Sequence, residues 1–393
     1  MGRIVALGTA LLLVFGGLQA AADESVSSLD RQGLIAAAEA SRSDALYVTV
    51  GDQVVIDWRP EGQHPQPYEL MSAVKSVVAL AIGRLLSLGH LESLDQPVHG
   101  FFPEWKQGRK QQITVRHLLN HTSGLQNVPS AGAEIYPSPD AVRLALAAEL
   151  DHAPGEHFSY NNKAVNLLAG IVERASGQRM DLFIQKQLFA LLGIKTYQWY
   201  FDASGSPHAM AGLRLYAADV AKLGRLVLDR GQWQGEALLA ADFVDQMLAP
   251  GQEHYPLAGL LWWRHAGSQE IELAATADLE TLPWLAAFAG KTFSSWGEVR
   301  ELLPQAMGSP EKARRWLGNH GRAALREHFD WRLGEIDAYY GEGYLGQYLV
   351  VVPAADLVAV RQIDSKPGLD RDTEFRDFVK QVVRFASAMP TAD

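Results

Sequence analysis

Two residues near the start of an apolar segment have the types and the spacing of a nucleophile and its base. Ser72 and Lys75 lie three positions apart, and residues i and i+3 share one face of a helix. A lysine amine that is partly withdrawn from water has a lowered pKa and can accept the serine proton. The pair is therefore a candidate for nucleophilic catalysis, with Ser72 as the nucleophile and Lys75 as its general base.

The Ser-x-x-Lys spacing is weak evidence alone, because the chain contains it twice. The second copy, at Ser309 and Lys312, has a proline directly after the serine, which is typical of a helix N-cap followed by proline at the first helical position. Ser72 and Lys75 instead begin the almost continuously apolar segment 71–88, where a lysine is costly unless it has a role or a partner. A helix cap with a solvated lysine remains the structural alternative for this pair too.

A second candidate follows the turn at residues 154–159, where Tyr160, Asn161 and Asn162 lead into a predicted helix. A phenol there could relay protons, and an asparagine amide could hold a substrate carbonyl or a lysine amine. The structural alternative is a packing tyrosine and a helix-capping asparagine.

Composition excludes several classes of protein and of site. The 393 residues include no cysteine, which excludes disulfides, thiolate metal sites and a cysteine nucleophile. A net charge of −10 without a basic stripe argues against a nucleic-acid partner. His117 and His121 have a zinc-compatible spacing, but no glutamate lies between them and no third ligand is evident. We therefore expect neither a metal nor a cofactor.

The first residues have the order of a secretory signal peptide. A short basic start is followed by an apolar stretch at 4–18 and by small residues at Ala20 and Ala22. A stretch of 15 residues is short for a membrane span, which needs about 20, although an uncleaved anchor remains the alternative. Residues 1–22 thus predict a periplasmic or secreted protein, with no membrane span after the signal is removed.

The order of predicted elements indicates a mixed α/β fold. A hairpin is expected at 44–58, helices through the middle, and strands at 339–352 and 356–363 before a closing helix at 371–387. We expect the N-terminal and C-terminal strands to share one sheet. The predicted domains are a discontinuous α/β lobe, a helical lobe and an insertion in the α/β lobe, bounded as follows: 23–102 with 207–393, 103–206, and 268–331.

The insertion at 268–331 separates two strand-like segments that need only a short connection. It is polar, partly helical and rich in tryptophan. Both a lid over a site and a surface decoration are compatible with this composition, and the sequence does not choose between them.

Together the motifs resemble the serine β-lactamase and penicillin-binding-protein superfamily. The similarity lies in the branch of class C β-lactamases, related esterases and 6-aminohexanoate-dimer hydrolases, and it spans about residues 46–385. It rests on five segments in one order: SAVK at 72–75, LESLDQPV at 91–98, ITVRHLLNHTSGL at 113–125, PGEHFSYNN at 154–162 and ADVAKLGR at 218–225.

This resemblance implies a β-lactamase/transpeptidase-like fold, with an antiparallel sheet flanked by helices and an all-helical lobe beside it. It implies that Ser72 is acylated, and that Lys75 and Tyr160 share its proton as general base and acid. Asn162 would contact Lys75 or a substrate amide. Such a two-step acyl transfer needs no metal.

One motif departs from the penicillin-recognising members, which carry Lys-Thr-Gly or a histidine variant on the strand beside the site. The Lys291-Thr292 pair lies inside the insertion and is not followed by glycine. The strand at 340–347 instead resembles the esterase and amide-hydrolase members. With this strand, the oxyanion hole would use the backbone N–H of Ser72 and that of Tyr344, next to Gly343.

The sequence therefore predicts an exported serine hydrolase that cleaves an ester or amide of a small-molecule or peptide-like acyl substrate. The alternatives are a β-lactamase or D,D-peptidase acting on peptidoglycan, and a catalytically silent binding module of the same fold. The substrate, the register of the third motif, the role of the insertion and the oligomeric state stay open.

Overall fold

The computed structural model describes residues 28–128, 130–369, 375 and 377–389. The predicted signal peptide at 1–22 lies outside these residues. Among the helices that are described, none combines the length and the apolar character needed to cross a membrane.

Helices and strands are interspersed along the described part of the chain. The helices are α1 (Ser28–Ala40), α2 (Val74–Ser87), α3 (Val115–Leu119), α4 (Ala131–Glu134), α5 (Ala141–Ala147), α6 (Asn162–Ser176), α7 (Met180–Ile184), α8 (Ala217–Leu228), α9 (Ala241–Leu248), α10 (Trp296–Ala306), α11 (Pro310–Arg326) and α12 (Phe378–Ser387). The strands are β1 (Ala45–Val50), β2 (Gln53–Trp58), β3 (Tyr68–Glu69), β4 (Gln198–Trp199), β5 (Leu213–Leu215), β6 (Gln232–Trp233), β7 (Glu236–Ala237), β8 (Trp263–Ala266), β9 (Gln269–Leu273), β10 (Thr292–Phe293), β11 (Phe329–Leu333), β12 (Ile336–Gly343), β13 (Gln347–Val352) and β14 (Leu357–Gln362).

A six-stranded antiparallel sheet in the order β2-β1-β14-β13-β12-β8 forms the centre of the fold. β1 and β2 form the predicted hairpin, with Val50 opposite Gln53. β1 also pairs with β14, so that Ala45 lies opposite Gln362. The N-terminal and C-terminal strands therefore share one sheet, as the order of elements predicts.

The C-terminal part of the sheet differs from the prediction at one point. The sequence pattern predicts a single strand over 339–352, but β12 ends at Gly343 and β13 begins at Gln347. Leu345 and Gly346 have φ of 66° and 83°, and the Gly346 N–H donates to the Gly343 carbonyl at 3.0 Å. The prediction of one strand is wrong because the glycines of this stretch, together with Leu345 at positive φ, form a tight turn between two paired strands.

Helices cover both faces of the sheet, and every residue of β13 and β14 is buried. Leu349 and Val351 pack on one side with residues of α2 and α8. Their neighbours Val350 and Val352 pack on the other side with α1 and α12. Side chains alternate between the two faces of a strand, so one set of β13 side chains packs against α2 and fixes it on the sheet.

The helices between α3 and α7 surround α6, which packs against α2, α3, α5 and α7. α6 begins after Asn161, whose side chain caps it, and ends at Gly177 with φ of 70°. Asn162, the last residue of the Tyr160 motif, is therefore the first residue of α6, and α6 packs against α2. The division into an α/β lobe (23–102 with 207–393) and a helical lobe (103–206) stays a prediction.

The segment between β8 and β12 forms a unit with its own core. A three-stranded sheet in the order β10-β9-β11 packs with α10 and α11. Its buried apolar residues include Phe288, Leu303 and Phe329. β8 pairs directly with β12, so the chain leaves the central sheet and returns to its adjacent strand.

Candidate active site

Ser72 lies in a short 3-10 turn, Met71–Ala73, that leads directly into α2. Met71 has φ of 49°, a left-handed conformation that non-glycine residues adopt at an energetic cost and that often marks functional sites. Lys75 follows in the first turn of α2, and its Nζ lies 3.0 Å from Ser72 Oγ. The spacing of the motif thus brings the amine and the hydroxyl together, as a shared helix face predicts.

Lys75 is almost completely buried, with 3% of its surface exposed. Its Nζ donates to the Met210 carbonyl at 2.8 Å. Burial lowers the pKa of the Lys75 amine well below its ordinary value, because a charged amine loses its hydration there. A neutral amine can donate one N–H to Met210 and still direct its lone pair at the Ser72 hydroxyl.

Tyr160 lies against this pair, with Lys75 Nζ 5.0 Å from the centre of its ring. The Asn127 side chain donates to the Tyr160 carbonyl at 2.9 Å and fixes the backbone there. The Tyr160 ring packs between His121, at 4.6 Å, and Trp263, at 6.1 Å between ring centres. The three predicted catalytic side chains therefore line one cavity.

His121 is a neighbour of the site that sequence reasoning assigns to structure alone. It is buried, has φ of 62°, and its Nδ1 accepts the Asn161 N–H at 3.2 Å. Burial, with a smaller effect of the Lys75 charge, lowers the pKa of His121 to about 3. The ring is therefore neutral at physiological pH and acts as a packing wall behind Tyr160.

The two histidines whose spacing suggests zinc are both engaged with backbone N–H groups. His117 Nδ1 accepts from the Thr114 N–H at 3.1 Å as part of a capping box at the start of α3. His121 makes the contact with Asn161. Within the part of the chain that the structure describes, no group of three or more metal-ligating side chains comes together.

The two asparagines of the motif have different surroundings. Asn161 is buried, accepts the Ala164 N–H at 3.0 Å and donates to the Leu125 carbonyl at 2.9 Å. Asn162, the predicted substrate ligand, has a buried side-chain oxygen with no hydrogen-bond partner. Lys75 bonds instead to Ser72 and Met210, so a contact between Asn162 and a substrate amide stays a prediction.

Replacement of Asn161 by alanine is expected to lower the free energy of unfolding by about 2 kcal/mol. The variant loses the cap of α6 and leaves the Leu125 carbonyl without its donor. Urea denaturation followed by circular dichroism measures the change. Equal denaturation midpoints for Asn161→Ala and the parent would contradict this role.

Strand β12 brings its last residues against the turn that carries Ser72. β8 pairs with β12 only as far as Tyr340, which leaves the following residues at the edge beside the cavity. Of these, Glu342 lines the cavity. Tyr344, the predicted oxyanion donor, lies in the turn after β12 with 51% of its surface exposed and is not among the residues that line this cavity.

Gly343, the other predicted residue of this strand, allows the strand to approach the Ser72 turn. A Cβ atom at Gly343 would lie 2.2 Å from the Leu70 carbonyl oxygen and 3.0 Å from the Met71 Cβ. Gly341 approaches in the same way, since its Cβ would lie 2.6 Å from Ser76 Oγ. At Gly343 the close contact is with backbone, so only glycine fits there without moving the strand away from Ser72.

We expect Gly343→Ala to lower kcat/KM at least tenfold and the free energy of unfolding by about 1–3 kcal/mol, the usual cost of overpacking. The added methyl group meets backbone at Leu70, which cannot rotate away. Gly33→Ala is the matched control, since nothing lies within 4 Å of its Cβ position. Thermal melts and ester assays of both variants test these expected losses. An active and equally stable Gly343→Ala would refute the packing argument.

A small cavity lies beside Ser72. Aromatic residues form much of its wall. The residues that line it are Ser72, Lys75, Ser76, His121, Tyr160, Ala258, Gly259, Leu261, Trp262, Trp263 and Glu342. Of the two tryptophans, for which the sequence predicts packing, Trp262 is 1% exposed and Trp263 partly exposed.

The insertion reaches the side of this cavity through a series of aromatic contacts. Trp331 of β11 packs on Tyr255 at 5.5 Å, and Tyr255 packs on Trp263 at 6.2 Å between ring centres. An ion pair also joins Glu327 to His157, which lies just before the Tyr160 motif. The insertion therefore stands beside the cavity as a side wall, a contact between distant segments that its sequence alone does not indicate.

The sequence is similar to those of several characterised proteins. A profile of the beta-lactamase family matches residues 32–383. Esterase EstB of Burkholderia gladioli is 32% identical over 147 residues, covering 33% of this chain and 37% of EstB. The 6-aminohexanoate-dimer hydrolase of Paenarthrobacter ureafaciens is 27% identical over 232 residues, covering 54% of this chain and 59% of that protein. Each alignment spans less than two thirds of the relative's length.

Solved structures share the fold over most of the chain. That of EstCE1, described as a hydrolase with promiscuous acyltransferase activity, has a TM-score of 0.59 at 16% identity and covers 94% of this chain and 99% of its own. The predicted mixed α/β, β-lactamase/transpeptidase-like fold is thereby confirmed. Because the family profile matches most of its length, the chain belongs to the beta-lactamase family, in the class C-related branch that includes esterases, 6-aminohexanoate-dimer hydrolases and penicillin-binding proteins.

Proposed function

We propose that the protein is a serine hydrolase that cleaves an ester or an amide through an acyl-enzyme on Ser72. The observation that carries the proposal is the buried Lys75 amine, whose lowered pKa and 3.0 Å separation from Ser72 Oγ suit it to accept a proton. A lysine that served only as a solvated surface group would not be placed there, because burial of an amine without a role is costly.

The chemistry follows from these positions. Neutral Lys75 takes the hydroxyl proton while Ser72 Oγ attacks the substrate carbonyl carbon, and the backbone N–H groups of Ser72 and Tyr344 stabilise the oxyanion. Tyr160 passes a proton to the departing oxygen or nitrogen, which leaves the acyl group as an ester on Ser72. Water then attacks this ester with the same groups acting in reverse, and the free acid and the Ser72 hydroxyl are restored.

The character of the cavity favours ordinary esters and amides over β-lactams. Among the described residues that line it, Lys75 is the only lysine or arginine, and this lysine serves as the base. A β-lactam carboxylate would therefore meet no second lysine or arginine among the described residues that line the cavity.

The names of two relatives fit this class of reaction. EstB is named an esterase, and the Paenarthrobacter enzyme is named for hydrolysis of the 6-aminohexanoate dimer. We propose further that the protein acts outside the cytoplasm, on the strength of the signal-peptide pattern at residues 1–22.

A direct comparison of substrates tests the function. Initial rates are measured for a short-chain nitrophenyl ester, the matching anilide and a chromogenic cephalosporin, and the quenched enzyme is weighed by intact mass spectrometry and mapped by peptide. We expect the ester to be the fastest and an acyl adduct on Ser72. Faster turnover of the cephalosporin would favour the β-lactamase alternative, and labelling without turnover would favour the binding module.

A further inference from the structure

Helix α6 contains a buried asparagine to which the proposed mechanism gives no role. Asn166 is 1% exposed and stands between the buried apolar residues Val165 and Leu167. It lies one helical turn after Asn162 and does not cap the helix. A buried amide is costly unless its polar atoms are hydrogen-bonded. The contacts of Asn166 therefore account for its presence in an apolar segment.

Asn166 holds one peptide group of the segment that precedes β5. Its Oδ1 accepts a hydrogen bond from the Ala209 N–H at 2.9 Å. The carbonyl of the same peptide group, that of His208, accepts from Trp199 Nε1 at 2.9 Å. Trp199 belongs to β4, which pairs with β5. The peptide plane is thus fixed at its N–H by Asn166 and at its C=O by Trp199.

The next carbonyl along the chain is the one that binds the Lys75 amine. The Met210 oxygen accepts from Lys75 Nζ at 2.8 Å. Two residues later, the Gly212 N–H donates to Glu69 Oε1 of β3 at 3.1 Å. The Met210 carbonyl therefore lies between two fixed points of the segment, one at residue 209 and the other at residue 212.

The direction of the Met210 carbonyl determines how the Lys75 amine can act. A neutral amine has two N–H groups and one lone pair. With one N–H directed at Met210, the lone pair can face Ser72 Oγ, which is 3.0 Å away. If the carbonyl moved, an N–H could turn toward Ser72, and the amine would donate to the oxygen whose proton it must accept. A misplacement of about 1 Å can cost roughly 100-fold in rate.

We infer that Asn166 is a positioning residue for the general base Lys75, acting through the His208–Ala209 peptide and the Met210 carbonyl. The inference rests on the proposed function, since it concerns the base of that reaction. Asn166 is not among the described residues that line the cavity. It therefore acts on the orientation of the amine and not on the binding of substrate.

Replacement of Asn166 by leucine tests the inference, because it keeps a similar volume and removes the acceptor. For a short-chain nitrophenyl ester we expect kcat to fall about tenfold or more, with KM within about twofold of the wild type. The acid limb of kcat/KM should move to lower pH, since a carbonyl acceptor favours the charged amine and its displacement lowers the pKa of Lys75 further. Rates are divided by the concentration of protein that a fluorophosphonate labels to completion, which removes the effect of misfolded material.

Asn166→Asp is the conservative variant, because it keeps an oxygen opposite the Ala209 N–H. The Asn166 Nδ2 has no hydrogen-bond partner among the described residues, so its replacement breaks no contact with them. On the alkaline plateau we expect kcat within about threefold of the wild type, with the acid limb at the same pH or higher, since a carboxylate favours the charged amine. A loss of stability alone would not separate the two variants in this way.

Two further variants complete the experiment. Trp199→Phe frees the other end of the same peptide group and should move the acid limb in the same direction as Asn166→Leu, so it replaces that variant if the leucine protein does not fold. Asn120→Leu is the control. Asn120 is also buried, donates to the Gly251 carbonyl at 2.8 Å and accepts the Thr122 N–H at 3.2 Å. Its loss should lower stability and leave the acid limb where it is in the wild type.

Each outcome has a defined meaning. An acid limb that is unchanged or moves to higher pH in Asn166→Leu overturns the inference and leaves the proposed function intact. A rise in KM at constant kcat also overturns it, as does the same acid-limb shift in Asn120→Leu. A wild-type protein that hydrolyses no ester or amide contradicts the proposed function itself.

Discussion

Replacement of Ser72 by alanine is expected to reduce kcat/KM for a short-chain nitrophenyl ester by about 10⁴-fold or more, the loss typical of a deleted nucleophile. The substitution removes the one oxygen that lies 3.0 Å from the buried Lys75 amine and therefore the atom that forms the acyl bond. The variant should fold, because Ser72 is only partly buried and the adjoining 3-10 turn has no side-chain cap.

The chain supplies a matched control for this experiment in its second Ser-x-x-Lys. Ser309 Oγ accepts the Lys312 N–H at 3.2 Å at the start of α11 and lies on the surface of the insertion. Ser309→Ala should cost about 1 kcal/mol of stability as a lost helix cap and leave ester turnover unchanged. Both variants are assayed for turnover and for mass shift with a fluorophosphonate, and ester turnover that persists in Ser72→Ala refutes the mechanism.

The contrast between these two motifs shows what the sequence can decide. Both have the same residues and spacing, and both begin a helix. The apolar surroundings of Lys75 predict burial, and the structure leaves 3% of its surface exposed. The proline after Ser309 predicts a cap, and Ser309 makes one. The local sequence pattern is therefore enough to predict the role of a side chain when that role depends on residues of the same helix.

Strand β12 shows where local pattern fails. The pattern predicts one strand over 339–352, but a turn at Leu345 and Gly346 ends β12 at Gly343. Glu342 of β12 lines the cavity, and the assignment of the Tyr344 N–H as an oxyanion donor stays a prediction. The register depends on the approach of Gly343 to the Leu70 carbonyl, a contact between segments about 270 residues apart in the sequence, and no periodicity encodes such a contact.

The insertion is a second such case. Its tryptophans and helices predict a folded unit, but they do not show where that unit lies relative to the site. The contacts of Trp331 with Tyr255 and of Glu327 with His157 show its position. These contacts join segments that are distant in the chain. They place the insertion beside the aromatic wall of the cavity, and a side wall is a third arrangement that composition does not suggest.

The second large effect is expected at Lys75. Replacement by methionine keeps most of the side-chain volume and removes the amine, so we expect the turnover rate to fall by about 100-fold or more, the usual contribution of a positioned base. Lys75→Arg should be equally impaired, because a guanidinium stays protonated and cannot accept the Ser72 proton. Lys312→Met is the control, since Lys312 is exposed in the insertion.

The pH dependence of kcat/KM identifies the general base more specifically than the loss of rate does. The neutral amine is the active form, so kcat/KM should fall as the pH drops through the pKa of Lys75 and level off above it. Burial places that pKa well below the ordinary value for lysine, which extends activity toward neutral pH. His121, with a pKa of about 3, is already neutral over this range and cannot produce the acid limb. A residual activity of Lys75→Met that keeps the same acid limb would show that another group is the base.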